Sequence, residues 1–127
     1  MARILVVEDN PSNMKLVALI LESLGHEVIE AFDARAGIEL AQDQVPDLIL
    51  MDIQLPGMDG LEATRLLKLN PLTQAIKVVA LTALAMKGDE ERILAAGCDG
   101  YIPKPIQHLD FVARIQRLVP MAPQVDV

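Results

Sequence analysis

The chain has 127 residues, 52% of them hydrophobic, and a formal net charge of −7. That length and apolar content describe one domain with a core of its own and exclude a disordered chain. The acidic balance, without a cluster of Lys and Arg, argues against DNA or RNA binding, which needs phosphate neutralisation, and no apolar run approaches the ~20 residues of a membrane helix.

Arg3 to Val7 reads as a strand. Asn10 is a candidate N-cap with Pro11 at the first helical position, and a helix to Leu24 follows, ended by Gly25. Met14, Val17, Ala18 and Leu21 form its core stripe. Leu16 and Ile20 are apolar outside that stripe and make a candidate docking patch for a helical partner, although most such residues simply pack. Glu27 to Glu30 is a short strand. Asp33 caps a second helix, Ala34 to about Gln44, with Pro46 beyond its end. Asp47 to Met51 is the third strand. Pro56-Gly57 and Asp59-Gly60 mark a loop, and Gly60 to Leu69 reads as a helix. Lys77 to Leu81 is the fourth strand, Met86 to Ala96 the fourth helix, and Gly100 to Ile102 a short fifth strand. His108 to Val119 is the last helix, with Leu109, Val112, Ile115 and Val119 expected inward. Residues 120–127 read as a short tail, leaving one domain over residues 1–119 and no output domain. With no signal peptide visible before Glu8 and a lone Cys98, a cytoplasmic location is expected.

Five strands alternating with five helices mean βαβ units around a parallel sheet with helices on both faces, a doubly wound α/β fold. Strands buried on both faces read as unbroken apolar runs. Ile4-Leu5-Val6-Val7 is one such run and ends in Glu8-Asp9. Leu48-Ile49-Leu50-Met51 is another and ends in Asp52. If these strands are neighbours, three carboxylates meet at the carboxyl edge of the sheet, where open α/β folds place their chemistry. Carboxylates that close repel unless a cation joins them or one is protonated. Taken singly, each residue has an ordinary explanation. Glu8 and Asp9 suit a helix N-terminus, Asp52 suits a turn start, and Thr82 and Lys104 suit a strand end and a wet surface. Their convergence at the ends of strands one, three, four and five points instead to Mg²⁺-assisted phosphoryl chemistry on Asp52.

The stretches Val7-Glu8-Asp9-Asn10, Leu50-Met51-Asp52-Ile53-Gln54-Leu55-Pro56, Ala80-Leu81-Thr82-Ala83 and Tyr101-Ile102-Pro103-Lys104-Pro105 resemble the CheY-like receiver domains of two-component response regulators. The resemblance spans about residues 3 to 119. Ala85 to Arg92, with Gly97-Cys98, is similar to the stand-alone members. What the resemblance implies is specific. The sheet order would be 2-1-3-4-5, which puts Pro103, unable to donate to a ladder, on an edge strand. Asp52 would accept a phosphoryl group from a sensor histidine kinase or a histidine phosphotransferase. Asp9, Asp52 and the backbone carbonyl of Gln54 would hold Mg²⁺, for which Mn²⁺ can substitute, and Glu8 would reach it through water. An oxygen-only donor set suits a hard cation of this kind. Lys104, Thr82 and the Ala83 amide would contact phosphoryl oxygens. Thr82, Tyr101 and a cis peptide before Pro105 would make up the switch, coupled to a downstream protein on the face of helix four, strand five and helix five. Leu84 and Gln54 occupy positions that tune acyl-phosphate lifetime in the family. The expected product is a monomer that signals by contact and turns over no separate substrate.

Three other classes fit the residues less well. A haloacid-dehalogenase-type phosphohydrolase would carry a second Asp two residues after its nucleophile, where Gln54 stands. A flavin carrier would need more stacking surface than one Tyr and two Phe, with no Trp, provide. A P-loop nucleotide site has no matching glycine-rich stretch.

Overall fold

A computed structural model describes residues 2–83 and 87–119, Lys87 by its backbone alone. The readings that fell on Leu84, Ala85, Met86 and residues 120–127 lie outside the described residues. In chain order the elements are β1 (Arg3–Val7), α1 (Pro11–Ser23), β2 (Glu27–Ala31), α2 (Ala34–Gln44), β3 (Leu48–Asp52), α3 (Gly60–Leu69), β4 (Lys77–Thr82), α4 (Lys87–Ala95), β5 (Gly100–Pro103) and α5 (His108–Leu118).

All five strands are parallel, in the order β2-β1-β3-β4-β5. β3 is the most enclosed strand, buried from Leu48 through Asp52. Successive side chains of a strand face opposite sides of the sheet, and the core divides accordingly. Leu5, Val7, Ile49, Met51, Val78 and Ala80 pack with α2, α3 and α4. Ile4, Val6, Leu48, Leu50, Val79 and Leu81 pack with α1 and α5. Burying each Val, Leu, Ile or Met side chain among them contributes roughly 1.5–3 kcal/mol. β5 pairs on one side only, with Thr82 opposite Pro103, so the proline leaves no central ladder bond unmade.

Local chemistry sets where the helices begin. Asn10 Oδ1 accepts from the amides of Ser12 (2.9 Å) and Asn13 (3.2 Å). Asp33 and Asp59 cap α2 and α3 in the same way, each at 2.8 Å. Such caps satisfy amide groups that have no partner inside the helix. The peptide between Lys104 and Pro105 is cis.

One burial expectation is corrected. Leu109 is 83% exposed, and the buried face of α5 is carried by Phe111 and Ile115. At 100° per residue Leu109 lies well off the arc that Phe111, Val112, Ile115 and Val119 share. Ile20 is core, packed in the cluster that α1 and α5 share, while Leu16 is 41% exposed. A neighbouring helix on the same sheet face widens the buried arc of α1 beyond its sheet-facing stripe. Several element ends also shift by one residue. β2 reaches Ala31, β3 runs from Leu48 to Asp52, β4 ends at Thr82, and β5 reaches Pro103.

Candidate functional site

The strand ends converge as their register requires. Val7 lies opposite Met51, Asp52 opposite Leu81, and Thr82 opposite Pro103. The residues that follow β1 and β5 therefore reach the carboxyl edge beside Asp52. One carboxylate oxygen from each of Glu8, Asp9 and Asp52 lies within 4.8 Å of the other two. Glu8 and Asp52 are buried, and Asp9 is exposed. Lys104 Nζ donates to Glu8 Oε2 and to Asp52 Oδ2, both at 2.9 Å. The remaining oxygens are also engaged. Asp52 Oδ1 accepts from the Gln54 amide at 2.9 Å, and Glu8 Oε1 accepts from the Asn10 amide at 3.2 Å.

Burial raises the Glu8 carboxyl above its ordinary range. The bond from Lys104 opposes that shift and the charge of Asp52 adds to it. Burial works against the Lys104 ammonium as well, but its bonds to Asp52 and Glu8 outweigh the loss of water, so it titrates above an ordinary lysine. The donors around this edge are carboxylates and carbonyls, which fit a hard divalent cation. Three acids converge here on one lysine.

Thr82 is buried at the end of β4 and Ala83 is exposed beside it. The Lys104 amide donates to the Thr82 carbonyl at 2.8 Å, which ties β5 to this corner. A cavity of about 320 Å³ opens beside the site, lined by Asn13, Leu16, Ala83, Lys104, Pro105 and Ile106. Gln54, two residues beyond Asp52, is exposed. Tyr101 stands further off. Its hydroxyl donates to Glu90 Oε1 on α4 rather than facing open water, and that bond, with partial burial, holds its proton more firmly than in a free tyrosine. Sequence reasoning missed Asn13, whose Nδ2 lies 3.5 Å from Glu8 Oε1. Its signal was its place in the first turn of α1, directly above the acid pair.

A parallel 2-1-3-4-5 sheet with an acid cluster and a strand-end lysine on its carboxyl edge defines a phospho-receiver class of domain. The family model for the response regulator receiver domain matches residues 4–116. The chain belongs to that family and is a response-regulator module of two-component signalling. It is 48% identical over 113 residues to the polar-differentiation response regulator DivK of Brucella anthropi, covering 89% of this chain and 92% of that protein. DivK of Brucella ovis matches equally well. Among solved structures, the receiver domain of the sensor histidine kinase PA1611 from Pseudomonas aeruginosa, which has a magnesium ion coordinated in its active-site cleft, is 38% identical, with a TM-score of 0.84 over 92% of this chain and 96% of that one. The Vibrio cholerae chemotaxis regulator CheY4 is 27% identical, with a TM-score of 0.89 over 94% and 99%.

Proposed function

We propose that Asp52 is the phosphoryl acceptor, charged from a phosphohistidine of a sensor kinase or a histidine phosphotransferase. The observation that carries this is the buried Glu8–Asp52 pair bridged by Lys104, with the Asp9 carboxylate beside it. Asp9, Asp52 and the Gln54 carbonyl would hold Mg²⁺, or Mn²⁺ in its place, with Glu8 behind them. The bound ion would neutralise charge that builds on the phosphoryl oxygens. In the transfer, an Asp52 oxygen forms a bond to phosphorus as the P–N bond breaks. The histidine nitrogen leaves with the electron pair and is protonated. Lys104, already within hydrogen-bonding reach of Asp52, moves its ammonium onto a phosphoryl oxygen. The Thr82 hydroxyl and the Ala83 amide take the others. Water later hydrolyses the acyl phosphate and restores Asp52, so the module times a signal and transforms no separate substrate.

The cavity that joins Asn13 and Leu16 of α1 to Pro105 and Ile106 supports docking of the histidine donor there. Tyr101 supports the face of α4, β5 and α5 as the output surface, because it touches both helices. Besides its bond to Glu90, its ring lies 5.8 Å from the Arg114 guanidinium, and its carbonyl accepts from Arg114 Nη1 at 3.2 Å. With Thr82 and Pro105 it makes up the switch. We assign the protein to the cytoplasm, acting as a monomer.

The test is incubation with acetyl phosphate with and without Mg²⁺, read by intact mass. One labile phosphoryl adduct that requires Mg²⁺ and is lost in Asp52→Asn is expected. A stable adduct, or one on Ser or Thr, rejects the mechanism.

A further inference from the structure

We propose that Gly60 and Thr64, in the first turns of α3, are positioning residues that set the Asp52–Gln54 backbone and thereby aim the acceptor. This rests on the reading of Asp52 as acceptor. Neither residue touches a reacting atom.

The helix begins in contact with the end of β3. A Cβ placed on Gly60 would sit 2.2 Å from the Asp52 carbonyl oxygen, 2.7 Å from Ile53 Cα and 2.9 Å from the Asp52 carbonyl carbon. Every one of those atoms is backbone, which cannot swing aside as a side chain can. The glycine at 57 differs in kind. Its φ is +79° and nothing lies within 4 Å of its missing Cβ, so it answers a turn's need for left-handed backbone. Gly60 has no such φ. Its lack of a side chain meets a demand of space alone.

The seat is held by hydrogen bonds on both sides of Gly60. Its amide donates to the Ile53 carbonyl at 3.2 Å. Its carbonyl accepts from Thr64 Oγ1 at 2.7 Å, and Thr64 is fully buried. Beneath it, Cys98 Sγ donates to Thr64 Oγ1 at 3.8 Å. Because the Gln54 amide grips Asp52 Oδ1, a shift of residues 53–54 moves the carboxylate and the Gln54 carbonyl together. The acceptor and a proposed metal-holding carbonyl therefore share one mount.

The test uses Gly60→Ala, Thr64→Val and, as a control, Gly25→Ala. Gly25 has φ +89°, nothing lies within 4 Å of its missing Cβ, and it follows the end of α1 before β2, so its substitution strains backbone elsewhere. Amide exchange at residues 53, 54 and 60 is followed by NMR in the metal-free protein. Mg²⁺ affinity is measured by calorimetry, and phosphorylation by acetyl phosphate is timed at saturating Mg²⁺. In Gly60→Ala the Mg²⁺ dissociation constant should rise about tenfold and the rate should fall by roughly 10- to 100-fold, as expected when a reacting group is misplaced by about an ångström. Thr64→Val keeps the side-chain volume and removes the hydroxyl. It should speed exchange at the three amides and weaken Mg²⁺ binding by roughly threefold, a smaller loss of the same positioning. Gly25→Ala should lower the melting midpoint and leave the other readouts at wild-type values. If Gly60→Ala does not fold, Thr64→Val decides. A folded variant that is less stable yet matches wild type in exchange, Mg²⁺ affinity and rate overturns the proposal. Wild type that takes no phosphoryl group on Asp52 sinks the functional reading instead, while the metal-free exchange data still judge the positioning.

Discussion

The two ends of the sheet use the same residue types to opposite effect. At the amino edge, Asp47 Oδ2 accepts from the Arg3 amide at 2.8 Å and Asp99 Oδ2 from the Val78 amide at 2.9 Å. Asp99 also pairs with Lys68 at 3.1 Å, with the two side chains 40% and 22% exposed. Each acid there has a backbone donor, and water remains at hand. At the carboxyl edge, Glu8 and Asp52 keep only 1% and 4% of their side-chain exposure and share Lys104 with each other. The first arrangement closes a sheet end. The second stores repulsion that an incoming cation can relieve. An acid–lysine contact by itself thus says nothing of function. What separates the two ends is the ratio of acids to cations and the loss of water around them.

Lys104→Met should break the comparison hardest. It leaves two carboxylates buried without their cation and should cost about 3 kcal/mol or more at neutral pH, by urea unfolding of the metal-free protein. Lys68→Met, at the wetter end, should cost about 1 kcal/mol or less. Equal losses would erase the distinction between the ends. Next in size is a reversal of sign. Asp99→Asn removes a charged acceptor from a backbone amide and should destabilise by about 1–2 kcal/mol. Asp9→Asn relieves repulsion and should stabilise the metal-free protein by a few tenths of a kcal/mol up to about 1, while weakening Mg²⁺ binding.

The smallest effect is the opposed pH dependence of the two ends. Burial raises Glu8, so the folded state binds its proton more tightly than the unfolded chain does. That end is favoured below the unfolded value of 4.5 and loses stability as pH climbs through the raised folded value. At the other end His26 is buried and pushed below the ordinary 6.5, first by burial and then by the positive amino terminus. Its Nδ1 accepts from the Ala2 amide at 3.2 Å, which requires the neutral ring. Stability from His26 is present above pH 6.5 and drains away as pH falls toward its lowered folded value. Glu8→Gln should flatten the first slope and His26→Phe the second, each slope amounting to at most one proton, about 1.4 kcal/mol per pH unit. A His26→Phe profile identical to wild type between pH 7 and 5 would remove the second contribution.

Much of this was legible in the chain. Strands buried on both faces announce themselves as apolar runs, and Asn10 and Asp33 mark helix starts because their side chains replace missing backbone partners. The acids, Thr82 and Lys104 were legible because their positions after strands are a matter of local sequence. What stayed hidden depends on tertiary neighbours. Leu109 looked like core by hydrophobicity, yet it faces water because Phe111 sets the buried arc of α5. Ile20 fell outside a stripe drawn for one helix on a sheet. Tyr101 gave no sign that Glu90 would take its hydroxyl. Gly60 carries no chemistry of its own, so only the proximity of Asp52 gives it meaning.

The reach of Lys104 has a further consequence. It grips Glu8 across 96 positions of sequence and Asp52 across 52. A nascent polypeptide still lacking its last strand holds Glu8 and Asp52 with no ammonium between them. The pocket therefore takes its final form only once synthesis has passed residue 104 and β5 has docked.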